Sequence, residues 1–135
     1  MNSEDPVLII DDEAHVRTYL RLLCQNQLGR RVIEAADAVS GLERAREVRP
    51  SLILLDLNLP RMDGVSALRE LRQSFPKTPI VIITALANRK YVEACLQAGA
   101  SAYLRKDVPP ARIAATLNRF NGDRADPLPV AEANS

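Results

Sequence analysis

The feature that most constrains this chain is the repeated alternation of a short apolar run with a longer segment of helical period. Five runs of strand length stand out: Val7–Ile10, Val32–Ala35, Leu52–Leu55, Ile80–Thr84 and Ala102–Leu104. Between and after them, apolar residues recur three or four positions apart, the spacing of one buried helix face. Val16, Leu20 and Leu23 share one stripe, Leu42 and Ala45 begin a second, and Val65, Leu68 and Phe75 form a third. Val92, Cys95 and Leu96 make a fourth, and Ile113, Leu117 and Phe120 a fifth. Gly29, Pro50, Pro60, the stretch FPKTP and Gly99 punctuate the units as turn signals. Five strand–helix units in succession predict an α/β fold, a parallel sheet with helices on both faces. The unalternating runs LILL and IVII fit strands that bury side chains in both directions.

With 135 residues, the chain is sized for one domain with a single core. Its net charge of +1 supplies no bulk attraction to nucleic acid or to an anionic membrane. No apolar run reaches the roughly 20 residues of a spanning helix. The opening MNSEDPVLII lacks the basic start and long apolar region of a signal peptide. Cys24 and Cys95 fall on the apolar faces of expected helices and read as reduced core thiols of a cytoplasmic protein. Two Cys and one His make a poor structural zinc set. No Gly-rich phosphate loop is present, which disfavours a bound nucleotide or flavin. The basic pairs Arg30–Arg31 and Arg105–Lys106 read as mostly solvated surface. After Phe120 the sequence NGDRADPLPVAEANS loses its period. Residues 1–120 are therefore expected to form the domain, and 121–135 a flexible tail or linker stub.

Open parallel sheets bind ligands beyond the carboxyl ends of their strands, where the strand order reverses. The first strand is followed by Asp11, Asp12 and Glu13, and the third by Asp56. The fourth ends on Thr84, and Lys106 comes soon after the fifth. The second offers nothing comparable, only Glu34 and Asp37 near its end. A lone Asp56 in LLDLNLPRMDG could simply cap a turn. Three aspartates, a hydroxyl and an ammonium on one sheet edge are more than a cap explains. Three crowded carboxylates repel, so without a cation at least one would have a raised pKa. Mg²⁺ suits such a site, keeping several waters and a phosphate oxygen in its shell. Asp56 at the centre could then act as a nucleophile toward phosphorus. The metal and Lys106 would neutralise the equatorial oxygens while Thr84 donates to one of them. Ala85 is small enough to leave the approach open.

The stretches LIIDDE, LLDLNLPRMDG, VIITA and AYLRKD, in this order and spacing, resemble the receiver domain of bacterial two-component response regulators. The resemblance runs from about Val7 to Phe120. It implies a doubly wound, flavodoxin-like (βα)5 sandwich whose five parallel strands lie in the order 2-1-3-4-5. It implies that Asp56 is the phosphoacceptor, with Mg²⁺ bound by Asp12 and Asp56 side chains and the Asn58 carbonyl, and by Asp11 mainly through water. Lys106, Thr84 and Ala85 would contact the phosphoryl group. Thr84 and Tyr103 would form the switch, although Tyr103 reads equally well as a half-buried strand residue. Asn58 and Leu86 would flank the path of the hydrolytic water, and an apolar Leu86 implies slow hydrolysis.

The implied donor is a sensor histidine kinase or phosphotransfer protein, and the implied output a downstream effector or a second copy of the chain. Neither direct nucleic-acid binding nor membrane association is expected. The output surface in the family spans Asn88–Ala98, Ala102–Leu104 and Pro110–Phe120. Asp107 follows the active-site Lys where many relatives have a cis proline. The loop is therefore trans, or the site holds a bond costing about 3 kcal/mol. The stretch LRKD is nearer to receivers attached to helix-turn-helix domains of the nitrate-response and quorum-sensing kind.

Two rivals remain. A haloacid-dehalogenase-type phosphatase also follows an apolar strand with a nucleophilic Asp, but its acid–base carboxylate normally stands two residues on, where this chain has Asn58. A pseudo-receiver that only binds a partner predicts loss of Asp56, Asp12 or Lys106, and all three are present. The expectation is a phosphoacceptor switch rather than an enzyme. His15 is not read as a phosphodonor, because phosphotransfer modules carry that residue midway along a helix of a bundle.

Overall fold

The computed structural model describes residues 5–86 and 88–121. The expected tail thus lies outside the described residues, apart from Asn121. The chain runs β1 (Val7–Ile10), α1 (Ala14–Leu23), a π-helical turn (Cys24–Leu28), β2 (Val32–Ala35), α2 (Ala38–Val48) and β3 (Leu52–Leu55). It continues through α3 (Gly64–Ser74), β4 (Ile80–Thr84), α4 (Arg89–Gln97), β5 (Ala102–Arg105) and α5 (Pro110–Asn118). All four strand pairings are parallel, in the order β2-β1-β3-β4-β5. Four strands begin and end where the apolar runs predict, and β5 extends one residue further, to Arg105.

The unalternating strands have a simple cause. In β1, Val7 and Ile9 face one core while Leu8 and Ile10 face another, and β3 and β4 divide the same way. One core joins the sheet to Leu42 and Ala45 of α2, Leu68 and Leu71 of α3, and Cys95 of α4. The other joins it to Leu20 and Leu23 of α1, Cys24 and Leu28 of the π turn, and Ile113 and Leu117 of α5. Both cysteines are free and buried. Burial pushes the Cys24 thiol up to about 12 and the Cys95 thiol up to about 11.

The starts of α2, α3 and α4 follow side chains that accept their otherwise unpaired amides. Asp37 accepts from Ser40 (2.8 Å), Asp63 from Val65 (3.3 Å) and Asn88 from Tyr91 (3.0 Å). Gly64 opens α3 because nothing larger fits: a Cβ there would lie 2.5 Å from the Leu57 carbonyl oxygen. That close approach pins the chain immediately after Asp56.

Two surface assignments need correction. Leu96, expected on the apolar stripe of α4, is 53% exposed. Cys95 beside it is the one fully buried residue of that helix, so the buried face is narrower than the apolar spacing suggested. Arg30, expected in solvent, is 6% exposed. Its guanidinium donates to the Asp5 carbonyl, to Ser51 Oγ and, at 2.9 Å, to Asn121 Oδ1. Those three acceptors come from distant parts of the chain and replace the water that a buried cation must give up.

Candidate functional site

In this strand order the first crossover runs from β1 to β2 and the next returns past β1 to β3. The order therefore reverses between β1 and β3, the usual place for a ligand in such a sheet. Asp11 follows β1 and Asp56 follows β3 at that point. The ladders carry both into position: Asp11 N–H donates to the Ala35 carbonyl (3.1 Å) and Asp56 N–H to the Ile10 carbonyl (3.0 Å). Their residues are 1% and 2% exposed. Asp12 and Glu13 are exposed beside them, and one carboxylate oxygen from each of the four lies within 4.8 Å of the others.

Lys106 closes the cluster from the β5 side, its amide bonded to the Thr84 carbonyl at 2.9 Å. Its ammonium stands 2.9 Å from Asp56 Oδ2, 3.0 Å from Asp11 Oδ2 and 2.7 Å from Glu13 Oε1. Lys106 is therefore an inward, paired group and not part of a solvated basic patch; its neighbour Arg105 is exposed and pairs with Asp107 at 2.6 Å. The peptide bond between Lys106 and Asp107 is trans.

Electrostatics follow from this packing. Burial raises the Asp11 pKa; the Glu13 amide and the Lys106 ammonium pull it back, and the Asp56 charge raises it further, leaving it above the ordinary value. Burial lowers the Lys106 pKa, but the Glu13, Asp56 and Asp11 carboxylates outweigh it and hold it above its ordinary value. Glu13 is held below the usual carboxylate range by its hydrogen bond to Lys106. One asymmetry stands out. Asp11 Oδ1 accepts the Glu13 amide at 2.8 Å, whereas buried Oδ2 accepts no hydrogen bond, its contact with Lys106 being an ion pair without donor alignment. A buried carboxylate oxygen without a directed donor, among four carboxylates, is the donor chemistry of a hard divalent cation. The residues present fit Mg²⁺.

Around this centre, Asn58 is exposed and its amide donates to Asp56 Oδ1 at 3.1 Å, fixing the Asp56 carboxylate. Thr84 is fully buried, and its Oγ1 accepts the Leu86 amide at 3.3 Å. Ala85 is exposed and Leu86 half-buried. Tyr103 is half-buried and donates its hydroxyl to the Leu86 carbonyl. Burial, then the neighbouring Cys95, Asp56 and Tyr91, pushes its phenol up to about 12. Thr84 and Tyr103 thus both hold the backbone of Leu86, one through its N–H and the other through its carbonyl. His15 is exposed at the start of α1.

The structure brings Asp11, Asp12, Asp56 and Lys106 together as the sequence predicts. Two participants carried no assigned role. Glu13 is a third partner of Lys106, and only its position directly after the acidic pair signalled it. Glu34, on β2, accepts from Arg17 and Arg21; helical spacing of the two arginines, one turn apart, was the available signal.

Comparison with known proteins agrees with this geometry. Residues 7–118 match the family model described as the response regulator receiver domain. The chain is 38% identical over 127 residues to the KDP operon transcriptional regulatory protein KdpE of Escherichia coli, covering 90% of this chain and 56% of that protein. It is 27% identical over 115 residues to the chemotaxis protein CheY of Thermotoga maritima, covering 85% and 96% respectively. It spans about half the length of the first curated relatives it matches. A CheY-like receiver domain from Methanospirillum hungatei superimposes with a TM-score of 0.81 at 27% identity, covering 86% of this chain and 92% of that one. With five parallel strands in this order and a family match spanning the whole sheet, the chain belongs to the response regulator receiver domains of two-component systems.

Proposed function

We propose that this chain is a cytoplasmic, Mg²⁺-dependent phosphoacceptor switch that receives a phosphoryl group on Asp56. The single observation that carries the reading is the convergence of Asp56, Asp11 and Lys106 within 3.0 Å contacts at the strand-order reversal. Asp11 and Asp12, with Asp56 and the Asn58 carbonyl, would hold the cation. When bound, Mg²⁺ supplies charge neutralisation for phosphoryl oxygens.

The protein's own groups do the rest. A carboxylate oxygen of Asp56, oriented by the Asn58 amide, forms the new O–P bond. The P–N bond of a phosphohistidine breaks as it forms, and the electron pair returns to the imidazole nitrogen of a sensor kinase or phosphotransfer protein. Lys106 already carries a proton and sits 2.9 Å from the acceptor carboxylate, so its ammonium would pass to the phosphoryl oxygens without a proton transfer. Positioning and charge neutralisation of this kind supply most of phosphoryl-transfer catalysis. Exposed Ala85 leaves the approach open, and Leu86 and Asn58 border the path of the hydrolytic water.

Phosphorylation would bias an existing two-state equilibrium. Thr84, drawn toward the phosphoryl group, would give up the Leu86 amide and so disturb the acceptor of Tyr103. The change would be read on α4, β5 and α5 by an effector, a further domain or a second copy of the chain, with residues 121–135 as tail or linker. The test is incubation with Mg²⁺ and acetyl phosphate, followed by intact mass. One added phosphoryl group, removable by hydroxylamine, is expected in the parent and none in Asp56→Asn. An adduct that survives hydroxylamine or persists in Asp56→Asn would refute the assignment, and turnover of free phosphate esters would favour the phosphatase reading.

A further inference from the structure

β2 contributes no side chain to the acidic cluster, yet Glu34 on it is joined to the cluster's backbone through one guanidinium. Arg17 in α1 donates from Nη1 to the Asp11 carbonyl oxygen at 2.8 Å and from Nε to Glu34 Oε1 at 3.0 Å. Arg21 donates to Glu34 Oε2 at 2.7 Å, so both oxygens of that carboxylate are engaged. The sheet does not provide for the Asp11 carbonyl. β1 ends one residue earlier, at Ile10, whose carbonyl takes the Asp56 amide, while the Asp11 amide goes to Ala35. The peptide between Asp11 and Asp12 would therefore be free to rotate without Arg17.

That peptide matters because of what it carries. The Asp11 carboxylate has its own anchor in the Glu13 amide. Asp12 is exposed, and no hydrogen bond among the described residues holds its carboxylate. Its oxygen nevertheless lies within 4.8 Å of those of Asp11, Glu13 and Asp56. With no side-chain partner, its direction depends on its rotamer and on the backbone that carries it. We propose that Arg17, locked by Glu34, is a positioning residue for the cation site: it fixes the Asp11–Asp12 peptide so that the Asp12 carboxylate faces the cluster. The proposal rests on the reading of that cluster as a divalent-cation site.

Charge and positioning predict opposite signs, which makes the role testable. Arg17 is a cation near a cation site, so by charge alone its removal would tighten Mg²⁺ binding. As a positioning group, its removal weakens binding, as loss of an outer-sphere partner usually does, by tenfold or more. The experiment is calorimetric titration of the metal-stripped full chain with Mg²⁺, with circular dichroism and melting curves to follow folding. Arg17→Met should raise the Kd about tenfold. Arg17→Lys keeps the charge but lacks the planar fork that spans two acceptors, so it should still bind several-fold more weakly than the parent. Glu34→Gln should weaken binding in the parent and have no further effect in Arg17→Met, because Glu34 acts only through Arg17. A parent that binds Mg²⁺ together with an Arg17→Met variant that binds it equally or more tightly would overturn the proposal while leaving the cation site intact. If Arg17→Met fails to fold, unchanged affinity in both Arg17→Lys and Glu34→Gln would overturn it instead. A parent that binds no Mg²⁺ would remove the cation reading itself, and this inference with it.

Discussion

Replacing Lys106 by Met keeps the apolar stem and deletes the ammonium that three carboxylates share. What remains is Asp11 and Asp56, 1% and 2% exposed, with carboxylate oxygens within 4.8 Å of one another. At an effective dielectric of about 20, two such charges repel by about 3.5 kcal/mol. Breaking a buried pair by removing one partner typically costs 3–5 kcal/mol. Lys106 is 17% exposed, so some water would enter, and exposed Glu13 would turn to solvent. We expect a loss of about 3 kcal/mol at pH 7.5 in EDTA, measured by urea unfolding with an unchanged slope.

The pH dependence has a definite sign. Asp11 already has a folded pKa above its unfolded value, and losing the ammonium raises it further. A carboxyl of that kind contributes stability below its unfolded pKa, and that contribution is lost as pH rises through the folded pKa. The penalty in Lys106→Met should therefore shrink as pH falls from 7.5 through the raised Asp11 pKa toward the ordinary carboxylate range. Millimolar Mg²⁺ should also reduce it, by supplying the missing positive charge to the folded state alone. A variant within about 0.5 kcal/mol of the parent, the range of ordinary surface changes, or a penalty independent of both pH and Mg²⁺, would refute the account of how this cluster is balanced.

Three further outcomes follow from the same geometry. Millimolar Mg²⁺ should raise the melting temperature of the parent, and Asp12→Asn should relieve repulsion in the metal-free protein while weakening that response; melting curves indifferent to Mg²⁺ count against the site. Thr84→Ala should still accept phosphate, but with Thr84 Oγ1 gone from the Leu86 amide, NMR shifts around residues 88–98 should be small on phosphorylation, and shifts as large as the parent's would break this route of coupling. The Cys24 and Cys95 thiols, raised to about 12 and about 11, should resist a thiol reagent at pH 8 until urea unfolds the chain. Stability held below about pH 9 should decline as pH rises through 11–12, by up to about 1.4 kcal/mol per pH unit for each thiol, and rapid labelling of either cysteine in the folded protein would show that its burial is not maintained.

Periodicity carried most of the fold into the sequence. Four strands could be bounded to the residue because each is an apolar run flanked by polar or turn residues. β5 ran on because Arg105 pairs with Thr84 in the ladder although its side chain is exposed, and a charged residue gives no apolar signal. Leu96 departs from the expected stripe because adjacent apolar residues on a helix cannot both occupy a narrow seam, and only the packing of α4 decides that Cys95 does. The strand order itself came from family resemblance, since alternation of elements does not fix which strands are neighbours.

Within the site, carboxylates at strand ends were legible because a strand end is legible. Glu13 shows no role in the sequence, since its partner Lys106 is 93 positions away. Arg30 and Glu34 failed for a related reason. A charge is buried or engaged only because acceptors or donors from distant segments meet it, and those meetings exist in the tertiary structure, not in local spacing. The sequence places Lys106 both in the site and in a solvated pair with Arg105; successive residues at the end of an extended strand point to opposite sides, so Lys106 turns inward onto the carboxylates while Arg105 is exposed.

The central claim is that Asp56 is the residue that carries the phosphoryl group. Reductive trapping tests it most directly: the protein is incubated with Mg²⁺ and acetyl phosphate, treated with borohydride, digested and sequenced by mass. An acyl phosphate on an aspartate is reduced to homoserine, so the account predicts homoserine at position 56, dependent on Mg²⁺ and absent without the phosphodonor. Homoserine at Asp11, Asp12 or any other aspartate, or a stable phosphoryl group on a hydroxyl or on His15, would contradict it.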